Sequence, residues 1–453
     1  MYSHLIHSDR HVHFVGIGGI SMSALAKILK ASQCKVTGSD INRSHTVKEL
    51  EEAGIPVDIP HQVNAIEGAG LVVYTAAVKQ DNVELVYARE HNIPCMERAK
   101  LLGVLMERYA DSVAVAGTHG KTTVTSMISQ IVLRANLDPT VLVGGELSCI
   151  GGNLRIGKSS YFISEACEYV DSFLNFHPSI SVILNIEEDH LDYFSGIEQI
   201  RQSFAQFAAQ TKNKIICCGE DENIRLALKD AAVPVTTYGI GDGFDYCAQE
   251  IEEGDTTRYT LCKGREPVCA VSLVVSGRHN IKNSLAALAC ADALGIPLPD
   301  AAANLSDFTG AKRRFEYKGV TGGVTVYDDY AHHPTEIQST LQAASARNYR
   351  ELWCVFQPHT YTRTRALFDD FTKSFMLADH VIITDIYAAR EKDTGLVHAK
   401  DLADAIDGAI YLKGFEEIAE YLHKNTQPAD MVLTIGAGTV YQIGELFLNR
   451  NTK

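Results

Sequence analysis

Apolar and polar positions divide the chain into repeated strand–turn–helix units. The clearest spans 113–132. Val113, Ala114, Val115 and Ala116 form an apolar run, a glycine-rich turn follows, and Val124, Met127, Ile128, Ile131 and Val132 recur at helical spacing. The pattern predicts a buried strand, a tight turn and an amphipathic helix. The same order opens the chain: a strand at 11–15, a turn at 16–21 and a helix at 23–30, with further strands at 34–37 and 71–74. Between 110 and 312, apolar strands at 161–164 and 181–185 run into polar residues. Strands at 324–327, 352–356, 381–384 and 431–435 carry the βα pattern to the end. Such alternation predicts an α/β protein with parallel sheets, a Rossmann-like unit first, a P-loop-like unit in the middle and a second doubly wound sheet last. A length of 453 residues suggests about three domains, with expected bounds of 1–109, 110–312 and 313–453.

Charge changes the picture. Lys and Arg number 41 against 56 Asp and Glu, a net charge of −15. Nucleic acid needs a basic face, so it is a poor partner for this chain. Anionic ligands must be met by local cations, backbone amides or metal. Eleven cysteines are scattered without a Cys-x-x-Cys pair, and the polar, His-rich start does not read as a signal peptide. No apolar stretch is long enough to insert in a membrane. A cytoplasmic protein with reduced thiols is the expectation.

The chemistry centres on Gly117-Thr118-His119-Gly120-Lys121-Thr122-Thr123. Glycines let backbone N–H groups approach phosphate oxygens, and the following helix N-terminus adds positive potential. Lys121 would neutralise phosphate charge and Thr122 would hold Mg²⁺. The loop is shorter than the common P-loop, with Val115 where that motif has its first glycine. Glu165 and His190 follow apolar strands, where ligands sit in open α/β sheets. Glu165 suits Mg²⁺ better, since that ion prefers oxygen donors. Asn280 and Asn283 precede an Ala/Leu-rich helix and suit either an adenine edge or a helix cap. In the first unit, Gly16 and Gly18 fit a dinucleotide fingerprint but Ser21 stands at its third glycine. Asp40 falls where an acidic residue meets a ribose hydroxyl. A diphosphate-bearing ligand follows, not NAD specifically, and Thr75 and Ala76 could approach it. The Arg313-Arg314, Asp328-Asp329 and His332-His333 pairs read as a wall facing the phosphate site.

Taken together the chain resembles the Mur ligase family nearly end to end. The residues carrying the resemblance are Gly16-Ile17-Gly18-Gly19-Ile20-Ser21-Met22-Ser23, the 117–123 loop, 185–191, His279-Asn280 with Asn283, Arg313-Arg314-Phe315-Glu316, 328–336, and 357–365 with its Pro-His-Thr-Tyr-Thr-Arg core. The resemblance implies three domains holding, in order, the UDP of a nucleotide sugar, ATP and an amino acid. It implies an amide-forming reaction through an acyl phosphate, with UDP-N-acetylmuramate and L-alanine as substrates and ATP and Mg²⁺ as cofactors. By residue, it places the nucleotide sugar on Gly18, Gly19, Ile20, Ser21, Ser39, Asp40, Thr75 and Ala76. ATP falls on 117–123, Asn280, Asn283, Arg314 and Asp329, and metal on Thr122, Glu165 and His190. Lys121, His190, Arg314 and Asp329 would be catalytic, and His332 and Arg363 would meet the amino acid. Domain closure is implied too, because Lys121 and Arg314 would serve one ATP from different domains. Two positions depart from the family pattern: Thr360, where many relatives carry arginine, and Cys167, where they often carry an acid. A ligase that recycles murein peptides is a near alternative. A dinucleotide-dependent oxidoreductase and a non-catalytic nucleotide sensor are distant ones.

Overall fold

The computed structural model describes residues 6–75, 77–191, 193–254, 256–275, 277–310, 312–389 and 391–449. Three sheets carry the fold, so the chain is a three-domain α/β protein. The first has five parallel strands in the order Val57–Asp58, Lys35–Ser39, His11–Val15, Leu71–Tyr74 and Cys95–Glu97. Strand order reverses beside His11–Val15, and the glycine turn and helix Ile20–Ala31 sit there.

The second sheet has ten strands. Asp111–Ala116 lies inside it, flanked in parallel by Ile180–Ile183 and Tyr161–Glu165. All but the first residue of Asp111–Ala116 are buried, as expected for a strand covered on both faces. One part departs from the expected alternation. After Val235–Ile240, the strands Tyr246–Glu252, Thr257–Lys263 and Glu266–Leu273 pair antiparallel with each other and extend the sheet without helices. Their alternating burial hides one face only, a pattern that hairpins share with parallel edge strands. The third sheet has six strands, five parallel and Glu316–Thr321 antiparallel at its edge.

The cores explain how the domains are joined. Buried apolar side chains run continuously from Ile6 to Phe308 through the first two domains. The helix Arg98–Met106 packs so closely there that a Cβ on Gly103 would lie 2.0 Å from the Asn175 carbonyl. The C-terminal sheet has its own cores, one on each face, from Val324 to Phe447. Its seam with the middle domain is polar. A continuous apolar core resists separation, whereas a polar seam exchanges its bonds for water at little net cost.

Candidate active site

The 117–123 loop leaves the strand Asp111–Ala116 and enters the helix Lys121–Arg134. Gly117 and Gly120 hold φ of 142° and 82°. A Cβ on Gly117 would sit 3.0 Å from Leu184 Cβ, and one on Gly120 3.0 Å from Asn283 Oδ1. Both positions need glycine for conformation and for space. No side chain caps this helix, so its first N–H groups stay open to an anion. Asn185 clamps the loop from the neighbouring strand end: the His119 N–H donates to its Oδ1 at 2.7 Å, and its Nδ2 donates to the His119 carbonyl at 3.1 Å.

Lys121 donates to the Gly117 and Thr118 carbonyls and to both oxygens of Glu168, at 3.0 and 3.2 Å. Burial alone would lower its pKa, but the Glu168 carboxylate outweighs it and raises the ammonium above its usual range. Lys121 is thus charged and held at the loop. Glu168 is the carboxylate beside it, next to the departure at Cys167.

Glu165 and Thr122 flank one short segment. The Gly144 N–H donates to Glu165 Oε1 at 2.7 Å, and a Cβ on Gly144 would lie 2.9 Å from Oε2. A Cβ on Gly145 would lie 3.3 Å from Thr122 Cγ2. The glycine pair leaves a cradle beside an all-oxygen donor set, which fits Mg²⁺. His190 sits at φ 54° in the next strand-end turn. Burial holds its imidazole below the usual range, and the charges of Asp189, Glu168, Arg363 and Lys121 all act on it.

A cavity of about 840 Å³ opens in front of the loop. His119, Gly120, Thr123, Asn280, Asn283, Arg314 and Asp329 line it, so residues from two domains meet there. The asparagines lie in the first turns of the helix Arg278–Ala293, which starts six residues earlier than the apolar pattern places it. Asn283 donates to Asn280 Oδ1 at 3.1 Å.

The two paired arginines divide their work. Arg313 is structural: it donates to Asp328 at 2.8 Å and to the Gly436 and Gly438 carbonyls. Arg314 faces the cavity, 3.8 Å from Glu336. Asp329 does more than the expected nucleotide contact. It accepts the Phe315 N–H at 2.6 Å and the Ala331 N–H at 2.7 Å, tying the interdomain linker to its own strand end. Arg313 and Phe315 both take positive φ in this linker, at 60° and 49°. Burial pushes the Asp329 carboxyl up to about 6 against the opposing pull of Arg314.

Asp329→Asn tests this linkage. The variant sets an amide NH₂ against one backbone donor, a pH-independent cost of about 1–3 kcal/mol. The wild-type carboxyl has its folded pKa raised, so its contribution is favourable below the unfolded value and is lost as pH rises through about 6. In urea unfolding, the stability difference is therefore expected to move in the variant's favour by roughly 3 kcal/mol between pH 4 and 7. A pH-independent difference would contradict the buried charge.

A second cavity, of about 320 Å³, lies beyond 187–190 and is lined by Asp189, His190, His359, Thr360, Arg363 and others. Arg363 is expected to meet a substrate carboxylate. Here its guanidinium instead grips Asp189 at 3.0–3.3 Å and reaches His359 Nδ1 at 3.1 Å. Burial would raise the Asp189 carboxyl, but Arg363 holds it well below the usual range. The His332 ring lies tilted against His359, with centroids 5.6 Å apart, and burial pushes its pKa down to about 4. Thr360 leaves this cavity one guanidinium poorer than the family pattern implies.

The residues 187–189 bond the C-terminal domain in succession. Thr335 donates to Glu187 at 2.7 Å, His333 Nε2 lies 3.1 Å from the Glu188 carbonyl, and Asp189 takes Arg363. Glu336 is the hub opposite. Burial would raise its carboxyl, but His332, His119 and Arg314 hold it well below its usual range. Sequence reasoning missed Glu336, Asp189 and His359 as site residues, although all three lie within stretches it had singled out.

In the first domain Ser39 and Asp40 make bonds that the sequence did not show. The Ser39 hydroxyl is fully buried, donates to Glu84 at 2.6 Å and lies 2.7 Å from His61 Nδ1. Asp40 holds the turn, accepting from Gly18 N–H at 2.8 Å and from the Ile41 and Asn42 N–H groups. Gly19, Ile20 and Ser21 remain at the surface of that turn, with Ile20 61% exposed. Thr75 packs near Gly16, and Ala76 lies outside the described residues.

Three separate family matches cover this architecture: the Mur ligase family catalytic domain over 11–110, the Mur ligase middle domain over 115–291, and the Mur ligase glutamate ligase domain over 313–438. The chain belongs to the Mur ligase family. Within it, the chain is 51% identical to the UDP-N-acetylmuramate–L-alanine ligase of Caldanaerobacter subterraneus subsp. tengcongensis, over 98% of both chains. It is 50% identical to the enzyme of that name from Acetivibrio thermocellus, over 97% of this chain and 96% of that one. Among solved structures it is similar to the UDP-N-acetylmuramate–alanine ligase of Thermotoga maritima, with a TM-score of 0.81 at 28% identity over 97% and 99% of the two chains. It also resembles a murein peptide ligase of Psychrobacter arcticus, with a TM-score of 0.71 at 26% identity over 97% and 98%. None of the helices among the described residues is long and apolar enough to cross a membrane.

Proposed function

We propose that the chain joins L-alanine to the lactyl carboxylate of UDP-N-acetylmuramate, with cleavage of ATP, in the synthesis of peptidoglycan precursors. One observation carries this reading. The segment 187–190 borders both a nucleotide-sized cavity on a phosphate loop and a smaller cavity that Arg363 lines, so an activated carboxylate and an amine can meet across it. A carboxylate oxygen of the sugar attacks the γ-phosphorus and ADP leaves. The alanine amine then attacks the acyl carbon, phosphate leaves and one proton is lost.

In this reading Lys121 and the open helix N-terminus hold the transferred phosphate, and Arg314 closes on it from the other domain. Asn280 and Asn283 stand on the nucleotide side. Thr122 and Glu165 would hold Mg²⁺, with His190 beside them, and the ion would neutralise phosphate charge while the anions approach. Arg363 would take the amino-acid carboxylate. Gly18, Gly19, Ile20, Ser21 and Thr75 would border the nucleotide sugar.

The second cavity, of about 320 Å³, has room for L-alanine and does not by its size exclude a larger acceptor. Acceptor profiling with UDP-N-acetylmuramate and ATP tests the choice. Phosphate release is expected with L-alanine and only weakly with L-Ala-γ-D-Glu-diaminopimelate. Preference for the tripeptide would make the chain a recycling ligase instead. Closure is testable as well: an ATP analogue with the nucleotide sugar should reduce the radius of gyration in small-angle scattering. An unchanged radius would count against a swinging C-terminal domain.

A further inference from the structure

The seam between the middle and C-terminal domains holds a cluster that the ligation chemistry does not use. One donor atom each from His119, Glu187 and His333 lies within 4.8 Å of the others. None of the three belongs to the Mg²⁺ set of Thr122, Glu165 and His190. We propose that His119, Glu187 and His333 form a binding site for a dication of the zinc class, and that filling it pins the C-terminal domain onto the phosphate loop.

Four observations support the site. First, the donors are two imidazoles and one carboxylate, the three-ligand set that leaves zinc one open position. Second, the spacing is nearly right. A tetrahedral ion with bonds of about 2.0–2.2 Å holds its donors about 3.3 Å apart, and His119 Nε2 lies 3.4 Å from Glu187 Oε2. The His119 and His333 rings are 4.6 Å apart, so His333 needs only a small swing. Third, His119 Nε2 is buried and makes no hydrogen bond. Fourth, an outer partner is in place. His119 Nδ1 faces Glu336 Oε1 at 3.3 Å, and a carboxylate there fixes the tautomer of a metal-binding histidine. His333 Nδ1 accepts the Thr335 N–H, which leaves Nε2, now 3.1 Å from the Glu188 carbonyl, to turn to the ion.

The consequence follows from where the ligands come from. His119 is part of the phosphate loop and Glu187 of the same domain, whereas His333 caps the helix Pro334–Ser345 of the C-terminal domain. A bound ion would add two-domain bonds to a seam otherwise held by exchangeable polar contacts. It would also sit against the nucleotide cavity, which His119 and Glu187 line. Opening, and with it nucleotide exchange, would slow, so micromolar zinc would inhibit turnover without competing for the Mg²⁺ donors. Two carboxylates face the His119 ring, Glu187 at 3.4 Å and Glu336 at 3.3 Å. They attract a dication in place of a proton on the imidazole.

The test uses the full chain with Co²⁺ alone, no nucleotide and no substrate. The intense visible absorption of a four- or five-coordinate cobalt site is expected on titration. His333→Asn should weaken binding at least tenfold. Asparagine keeps the helix cap that His333 provides to the Thr335 N–H, so loss of the fold is not the expected cause. Glu187→Gln should weaken it likewise, and His190→Asn should leave the titration unchanged. Zn²⁺ should raise the melting temperature of the wild type and of His190→Asn but not of the other two. Co²⁺ titrations of His333→Asn and Glu187→Gln that match the wild type would overturn the proposal, as would loss of the band in His190→Asn alone. Because no substrate is present, failure here leaves the acceptor assignment untouched, and the reverse also holds.

Discussion

Lys121→Met is expected to lower ATP-dependent phosphate release by about three orders of magnitude or more. The reason is electrostatic. A carboxylate attacking a triphosphate brings anions together, and the ammonium at the head of the helix Lys121–Arg134 is the fixed cation placed to offset them. Methionine keeps most of the length of the side chain and removes the charge with its N–H donors. The same change removes the partner of Glu168, whose side chain is 3% exposed. An uncompensated buried charge costs about 3 kcal/mol, so Lys121→Met alone should also unfold more easily. Lys121→Met with Glu168→Gln separates the two effects: stability should return and turnover should not. Phosphate release within tenfold of wild type in either variant would remove the lysine from the chemistry.

Arg363→Ala carries the second large effect. Its guanidinium is planar and forked, and it grips the Asp189 carboxylate with three contacts of 3.0–3.3 Å. That is the geometry an amino-acid carboxylate would take, so Asp189 stands on the edge of the fork that the substrate carboxylate would take over. Losing a charge-assisted pair of hydrogen bonds costs about 3 kcal/mol. The KM for L-alanine should therefore rise about a hundredfold, with the KM for ATP moved much less. Arg363→Lys keeps the charge without the fork and should fall between. Since Arg363 and Asp189 come from different domains, the alanine variant should also enlarge the radius of gyration of the ligand-free protein. An unchanged KM for L-alanine would place the acceptor elsewhere.

These expectations rest on residues that were not equally legible. The loop at 117–123 was readable because its chemistry is local: two glycines, a lysine and a threonine at fixed spacing directly after an apolar strand. The parallel sheets were readable because apolar runs recur between helical periods. The antiparallel extension at 246–273 was missed because alternation on one face resembles an edge strand. The bonds of Ser39 and Asp40 were hidden for a related reason. A serine and an aspartate after a strand can meet a ligand or satisfy the turn, and their bonds to the buried Glu84 and the Gly18 N–H show only in the fold. Glu84 itself offered no signal, since a charged residue on an amphipathic helix usually faces water.

By itself, then, the order of residues determined what depends on neighbours along the chain: most of the strands and helices, the glycine turn at 117–123, and the family. What it left to the tertiary structure was pairing over long separations. Asp189 finds Arg363 and His119 finds Glu336 only when the third sheet folds back over the second. Such pairs have no spacing to read, because their energy depends on distance through space and on burial, and neither is written in local sequence.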